Sequence, residues 1–313
     1  MASRQGTFPL VVSRIVTESL DIVSLELVHP SGEMLPAWEP GAHLDVQLVT
    51  RQQRQYSLCG DPADRYTYRI AVLREEFSRG ASMYIHTYLR EGRTVHAKPP
   101  RNLFPVLPAG EYLLLAAGIG ITPILPMAVE LNRRGAAWTM NYAVGDVARL
   151  PFRSELEALG DRVTINTPDR AGRLDLDQFL AQPRAGVSVY SCGPTRFINA
   201  VESAMRDWPR EGLHLERFEP KPIVARPNEP FTVRAARSNI DVDVPADMTM
   251  LQALDAAGIA PPGSCLRGVC GSCAVRVLDG IPEHRDSLTS DESSSTMYPC
   301  VSRSMSPEVV VDL

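Results

Sequence analysis

The chain has 313 residues, a formal net charge of −5, 44% hydrophobic residues and 22% charged residues. That length exceeds one ordinary core and suits two or three domains, and the composition is that of folded rather than disordered or fibrous protein. No apolar run is long enough to span a bilayer, the N-terminus lacks the apolar core of an export signal, and no basic patch suggests nucleic acid. A cytosolic location is the expectation, and six cysteines in that compartment argue for metal or catalysis over disulfides.

The first segment, 1–107, reads as β-rich. Phe8–Val16, Ile22–Val28, His43–Leu48, Tyr56–Leu58 and Tyr68–Leu73 are short, partly alternating runs broken by Pro, Gly and Asp, which fits a closed antiparallel barrel. A helix is expected over Met83–Arg90, with Ser82 as its N-cap. Arg54-Gln55-Tyr56-Ser57 puts a cation and hydrogen-bonding groups at a strand start. In Arg79-Gly80-Ala81-Ser82, the residues before a helix could meet a phosphate with N–H groups, a hydroxyl and a guanidinium. Taken singly, each is also an ordinary strand edge or helix cap.

The second segment, 108–226, changes pattern. Strands are expected at Tyr112–Ala116, Thr139–Val144, Val163–Asn166, Val187–Ser191 and Leu213–Arg217. Helices are expected from Thr122 to Arg133, over Phe152–Leu159 and over Thr195–Arg206. Strand–helix alternation with glycine at strand exits implies a parallel sheet covered on both faces. Gly118-Ile119-Gly120-Ile121-Thr122-Pro123 and Cys192-Gly193-Pro194 both follow strands, where such sheets bind ligands and where glycine lets a nicotinamide approach the backbone. A plain strand-to-helix turn is the competing reading. Asp146 follows the second strand and would repel the 2′-phosphate of NADP, which favours NADH; Arg149, Arg153, Arg170 and Arg173 leave the opposite preference open, and a simple turn role for Asp146 is the plain alternative.

A proline-rich stretch, 219–230, reads as an extended linker. The third segment, 227–313, opens with strands at Phe231–Ala235 and Ile240–Val244 and a helix over Met250–Ala257. From Asn228 onward twelve acids face six arginines, so this part carries the chain's acidity, either as plain solvation or as a docking face for a basic partner. Cys265, Cys270, Cys273 and Cys300 form C-x4-C-x2-C…C, the thiolate spacing of a plant-type 2Fe–2S cluster. Gly263, Gly268 and Gly271 allow the loop to curl tightly around sulfur. Zinc ligands instead come as two short-spaced pairs, and here one member of the second pair is missing. Cys59 reads as a buried hydrophobe, and Cys192 carries no sign of being a nucleophile.

A one-electron cluster needs a donor, and a flavin converts a two-electron hydride into single electrons. Arg54–Leu58, Arg79–Ser82, Pro100-Arg101-Asn102-Leu103-Phe104-Pro105, Gly118–Pro123, Cys192–Pro194 and Glu283-His284-Arg285-Asp286 before Cys300 agree jointly with one family. Along essentially its whole length the chain resembles the phthalate dioxygenase reductases, which include vanillate demethylase reductases. The resemblance implies an FMN-binding β-barrel (1–107), an NAD-binding α/β domain (108–226) and a β-grasp plant-type ferredoxin (227–313). It places FMN contacts on Arg54, Gln55, Tyr56, Ser57, Ala71, Val72, Leu73, Arg79, Gly80, Ala81 and Ser82, with Thr122 and Phe218 added from the nucleotide side. It places NADH across Gly118, Gly120, Thr122, Pro123, Cys192, Gly193 and Pro194, to which the charge argument above adds Asp146. Two departures stand out: Leu73 where a relative has lysine, and Ala81 where the family has glycine, the latter strained if its φ is positive. The implied role is a monomeric reductase feeding a terminal oxygenase, most often of Rieske type. FAD in place of FMN, a haem-thiolate partner, and a non-enzymatic 2Fe–2S module are the alternatives.

Overall fold

The computed structural model describes residues 6–48, 53–75, 80–168, 174–289 and 294–313. Arg79, Arg170 and Arg173 lie outside the described residues. The chain divides into two compact units, Met1–Glu216 and Arg217–Leu313.

The first unit begins with β1 (Phe8–Thr17), β2 (Ile22–Val28), β3 (Ala42–Gln47), β4 (Gln53–Ser57), β5 (Thr67–Leu73), α1 (Ala81–Thr87), β6 (Thr94–Ala97) and β7 (Arg101–Asn102). The strands pair antiparallel in the order β4-β3-β6-β1-β2-β5, with β7 beside β3. An antiparallel bridge from Leu58 to Ile70 joins the two ends. The sheet therefore closes on itself, which removes its free edges. Leu10, Val12, Leu25, Leu27, Leu44, Val46, Tyr68 and Ile70 fill the interior.

The helix of this barrel corrects two expectations. It spans Ala81–Thr87 rather than Met83–Arg90, and its N-cap is Gly80 rather than Ser82. Gly80 takes φ 97°, a left-handed entry that serine would resist. Ser82 is instead buried inside the helix, its hydroxyl accepting from the Glu75 amide at 3.4 Å. Ala81 is helical and unstrained.

The unit continues with β8 (Glu111–Ala117), α2 (Ile121–Arg133), β9 (Trp138–Ala143), α3 (Arg153–Ala158), β10 (Val163–Asn166), α4 (Leu176–Phe179), β11 (Val187–Cys192), α5 (Thr195–Ala204) and β12 (Leu213–Glu216). All five strands are parallel, in the order β10-β9-β8-β11-β12. Side-chain alternation along β8 divides the core in two. Tyr112, Leu114 and Ala116 pack with Ile121, Ile124, Leu125 and Ala128 of α2, whereas Leu113 and Leu115 pack with Val201 of α5, Met205 and Trp208. The first of these cores also takes in Ile22, Cys59, Ala71 and Phe104, so barrel and parallel sheet share one hydrophobic body.

The second unit holds β13 (Phe231–Ala235), β14 (Ile240–Val244), α6 (Met250–Ala256), β15 (Val275–Asp279), β16 (Pro282–Glu283), β17 (Thr296–Met297), β18 (Arg303–Ser304) and β19 (Glu308–Val311). Its main sheet runs β14-β13-β19-β15-β17, with β13 and β19 parallel and α6 packed against it. This is a β-grasp arrangement. Helix α6 starts with a full capping box, in which Thr249 and Gln252 exchange side-chain-to-backbone hydrogen bonds. Among the described residues no helix is long and apolar enough to cross a membrane.

Candidate functional site

In the parallel sheet, strand order reverses between β8 and β11, and ligand crevices of open α/β sheets form at such a switch. The two glycine-bearing turns meet there. A β-carbon on Gly120 would lie 2.2 Å from the Cys192 carbonyl oxygen and 2.5 Å from the Gly193 nitrogen, so only glycine admits this approach. A 3-10 turn over Gly118–Gly120 leads into α2, held by the Thr122 hydroxyl, which donates to Ile119 O at 2.9 Å. From below, the buried Tyr142 hydroxyl donates to Gly118 O at 2.9 Å. Pro123 lies buried in the first turn of α2, and Pro194 forms the N-cap of α5.

Three strand ends bring side chains together at this crevice. Cys192 ends β11 with its Sγ 4.0 Å from Glu216 Oε2, and Glu216 ends β12. Ser57, at the end of β4, is buried with its hydroxyl facing Glu216, without closing a bond of ordinary geometry. Burial raises the Glu216 carboxyl to about 8, so it is largely protonated at neutral pH. Burial, reinforced by Glu216, holds the Cys192 thiol well above its usual value, so Cys192 is neutral and a poor nucleophile. Glu216 is the residue sequence reasoning missed. The sequence marks it only as one more position of a strand, and only the fold places it beside Cys192 and Ser57.

The remaining barrel residues surround that end of β4. Gln55 donates to the buried Asp45 at 2.6 Å, and Arg101 donates to the other oxygen of Asp45 at 2.8 Å. Arg101 thus ties β7 to β3. Arg54 donates to Gln53 O, and burial raises the Tyr56 phenol. Ala71 and Val72 are buried on β5, Leu73 is half-buried, and the Val72 carbonyl accepts from His86 at 2.9 Å. Asp146 caps the 3-10 turn Val147–Arg149 by accepting from the Ala148 amide at 2.9 Å. Arg149 is paired with Asp21. Phe218 belongs to the second unit and is exposed.

In the second unit the four sulfurs form two pairs. Cys265 lies beside Cys270 and holds its thiol below the usual value, and Cys300 does the same for Cys273. The other member of each pair, Cys265 or Cys300, is raised by its neighbour and by burial. Two cysteine pairs, once deprotonated by metal, are the donor set a two-iron cluster asks for, one pair to each iron. Among the described residues no three His, Cys, Asp or Glu side chains converge on a single-ion position. Cys270, Cys273 and Cys300 are buried, whereas Cys265 is half-exposed beside Leu266, which is 60% exposed in the left-handed region at φ 57°. The Arg267 amide donates to Cys265 Sγ at 3.3 Å. A β-carbon on Gly268 would strike Val301 and Asp286 within 3.0 Å at φ 69°, so the loop rests directly on the segments before and after Cys300.

Residues 233–304 match the 2Fe-2S iron-sulfur cluster binding domain family. The chain is 39% identical to the vanillate O-demethylase oxidoreductase of Pseudomonas sp. strain HR199, over 97% of this chain and 99% of that one. It is 36% identical to a solved phthalate dioxygenase reductase, described as a modular structure for electron transfer from pyridine nucleotides to [2Fe-2S]. That match has a TM-score of 0.72 and covers 98% of both chains. The chain belongs to the phthalate dioxygenase reductase family. A further match joins this reductase to larger architectures: it superposes on an intact type IV self-sufficient cytochrome P450 monooxygenase at a TM-score of 0.92 and 38% identity. There it covers 98% of this chain but 41% of the other.

Proposed function

We propose that this reductase takes electrons from NADH through FMN to its 2Fe–2S cluster and delivers them singly to a separate terminal oxygenase in the cytoplasm. The observation that carries the reading is the coexistence, in one chain, of the glycine-lined switch-point crevice and the paired cysteines. Neither alone calls for the other, but a hydride source feeding a one-electron cluster needs both. A bound flavin would supply the conversion between hydride and single electrons.

Gly118, Gly120, Thr122, Pro123, Cys192, Gly193 and Pro194 are assigned to nicotinamide, because the interlocked turns offer backbone rather than side chain at the crevice floor. Arg54, Gln55, Tyr56 and Ser57, with Ala71, Val72, Leu73, Gly80, Ala81 and Ser82, are assigned to FMN, together with Arg79 and Phe218 by family resemblance. The buried, unpaired Ser57 hydroxyl supports this assignment, since an orphaned polar group at a crevice is normally met by a ligand. Glu216 keeps a neutral carboxyl beside that hydroxyl and can hold or release a proton there near neutral pH. Cys192 contributes bulk and a weak donor. Asp146 is assigned to the coenzyme ribose through the carboxylate oxygen that does not cap its turn, which favours NADH over NADPH.

A Rieske-type oxygenase is the leading partner. The superposition on a cytochrome P450 monooxygenase specifically supports a haem-thiolate partner as the second reading. We take the isolated reductase to be monomeric. The test is anaerobic addition of NADH to the purified, coloured protein, followed by release and identification of its flavin. Bleaching of flavin and cluster absorption is the expected result; a protein carrying neither chromophore, or one that NADH leaves unbleached, would refute the reading.

A further inference from the structure

The Asp286 side chain is 0% exposed. Its Oδ1 accepts from the Leu288 amide at 2.9 Å and the Thr289 amide at 2.6 Å, and its Oδ2 accepts from the Ser302 hydroxyl at 3.3 Å. All three donors are neutral groups. Among the described residues the one basic side chain at ion-pair distance is His284, with Nδ1 at 3.9 Å. Arg285 is engaged elsewhere: it pairs with Glu283 at 2.8 Å and donates to Asn228 Oδ1 and Arg226 O in the linker. Arg303, also buried, donates to the carbonyls of Glu229, Pro245 and Met248.

This carboxylate lies against the cluster loop. A β-carbon on Gly268, between Cys265 and Cys270, would come within 2.9 Å of Asp286 Cα and 3.0 Å of its Cβ. The next residue, Ser287, donates its amide to Gly268 O at 2.9 Å. Ser302, two positions past Cys300, closes the other side and also accepts from the Arg285 amide at 3.2 Å. Tyr298 packs on Cys273 and Cys300. Burial raises its phenol, and Asp286, Cys273 and Cys270 raise it further, so the carboxylate and the sulfurs act on one side chain.

Hydrogen bonding alone does not require a charge here. An asparagine oxygen would accept from the same two amides, and its amide group would meet the Ser302 hydroxyl. A buried carboxylate without a lysine or arginine partner carries a desolvation cost that the neutral residue avoids. We propose that Asp286 sets how strongly reducing the cluster is: its buried charge opposes each arriving electron and favours its departure. This rests on the electron-transfer reading above, in which each passage oxidises the flavin by one electron and reduces the cluster by one. Every electron taken up adds one negative charge to the cluster, and a carboxylate enclosed beside the loop is little screened from it by salt. At an effective dielectric of about 20, a unit charge across about 10 Å changes a one-electron equilibrium by about tenfold. That factor corresponds to about 59 mV.

The test is a spectroelectrochemical titration of the full-length protein, with electron paramagnetic resonance on the reduced cluster. Asp286→Asn removes the charge and keeps the shape, so the cluster midpoint should rise by about 59 mV, a tenfold gain in the reduction equilibrium. The shift should persist in about 1 M salt, which screens exposed charges beyond about 3 Å. Ser302→Ala removes one hydrogen bond and keeps the charge, so its midpoint should match wild type. The resonance signal should be unchanged in both variants. If Asp286→Asn fails to retain iron, Asp286→Ser, which also supports the turn, reads the same loss of charge. An unmoved or lowered midpoint, a shift that salt abolishes, an equal shift in Ser302→Ala or an altered resonance signal would each overturn the proposal. Wild-type protein without a reducible cluster would instead refute the electron-transfer reading on which the proposal stands.

Discussion

Replacing Gly120 with alanine tests the claim that two strand exits share one close backbone contact. The new methyl carbon would lie 2.2 Å from the Cys192 carbonyl oxygen and 2.4 Å from its carbon. Ordinary contact needs about 3.5 Å, so one turn must retreat by about 1 Å. Both obstacles are main chain, and no rotamer change relieves them. Overpacking of this kind costs about 3 kcal/mol, the upper part of its usual range. At about 2–4 °C per kcal/mol for a body of this size, the melting midpoint of the first unit should fall by about 6–12 °C. A 1 Å displacement at a reacting site costs about a hundredfold in rate, so NADH-dependent flavin reduction should drop by that order even in protein still folded at assay temperature. Calorimetry and stopped-flow on the same preparation check both. A wild-type midpoint together with wild-type hydride transfer would show that the two turns do not constrain each other.

Glu216→Gln should remove a pH dependence. A carboxyl raised in the folded state to about 8 gives stability that is present below its unfolded value and lost as pH rises through 8, so the variant should gain on wild type between pH 5 and 9, by at most about 5 kcal/mol in denaturant titrations. Cys300→Ser should leave flavin reduction by NADH intact and abolish stable cluster absorption and delivery to the oxygenase; undiminished partner turnover would show that the cluster is not the exit. Asp45→Asn removes the charged partner of Gln55 and Arg101 and should cost about 2–3 kcal/mol in chemical unfolding, with weakened flavin retention on gel filtration.

The elements that sequence exposed were those with long, uninterrupted patterning. The strand ending at Ala117 and helix α2 follow from an apolar run entering a glycine turn, and the cysteine spacing spoke for itself. What stayed hidden has a common physical origin. Strand β6 is four residues long and strands β16–β18 are two each, too short for any period to register. The start of α1 depended on the backbone angle of Gly80, not on the capping chemistry of Ser82. Glu216 and Asp45 acquire meaning only from neighbours distant in sequence: Cys192 is 24 positions from Glu216, and Arg101 is 56 from Asp45. The motif Glu283–Asp286 was visible as a signature, but its contacts to the linker and the cluster loop are tertiary, and no spacing rule reveals them.

Cys265 is a partly exposed residue where Cys270, Cys273 and Cys300 are buried ones, which makes the metal site one-sided. A chelator or oxidant must touch what it attacks, and from water it meets Cys265 and the exposed Leu266 first. Attack from the other side requires the loop to lift off Asp286 and Val301. Attack at Cys265 should therefore rise with the concentration of the reagent, whereas full loss of iron should level off at the opening rate of that loop, and the protein's working lifetime in air becomes partly a property of its backbone mobility.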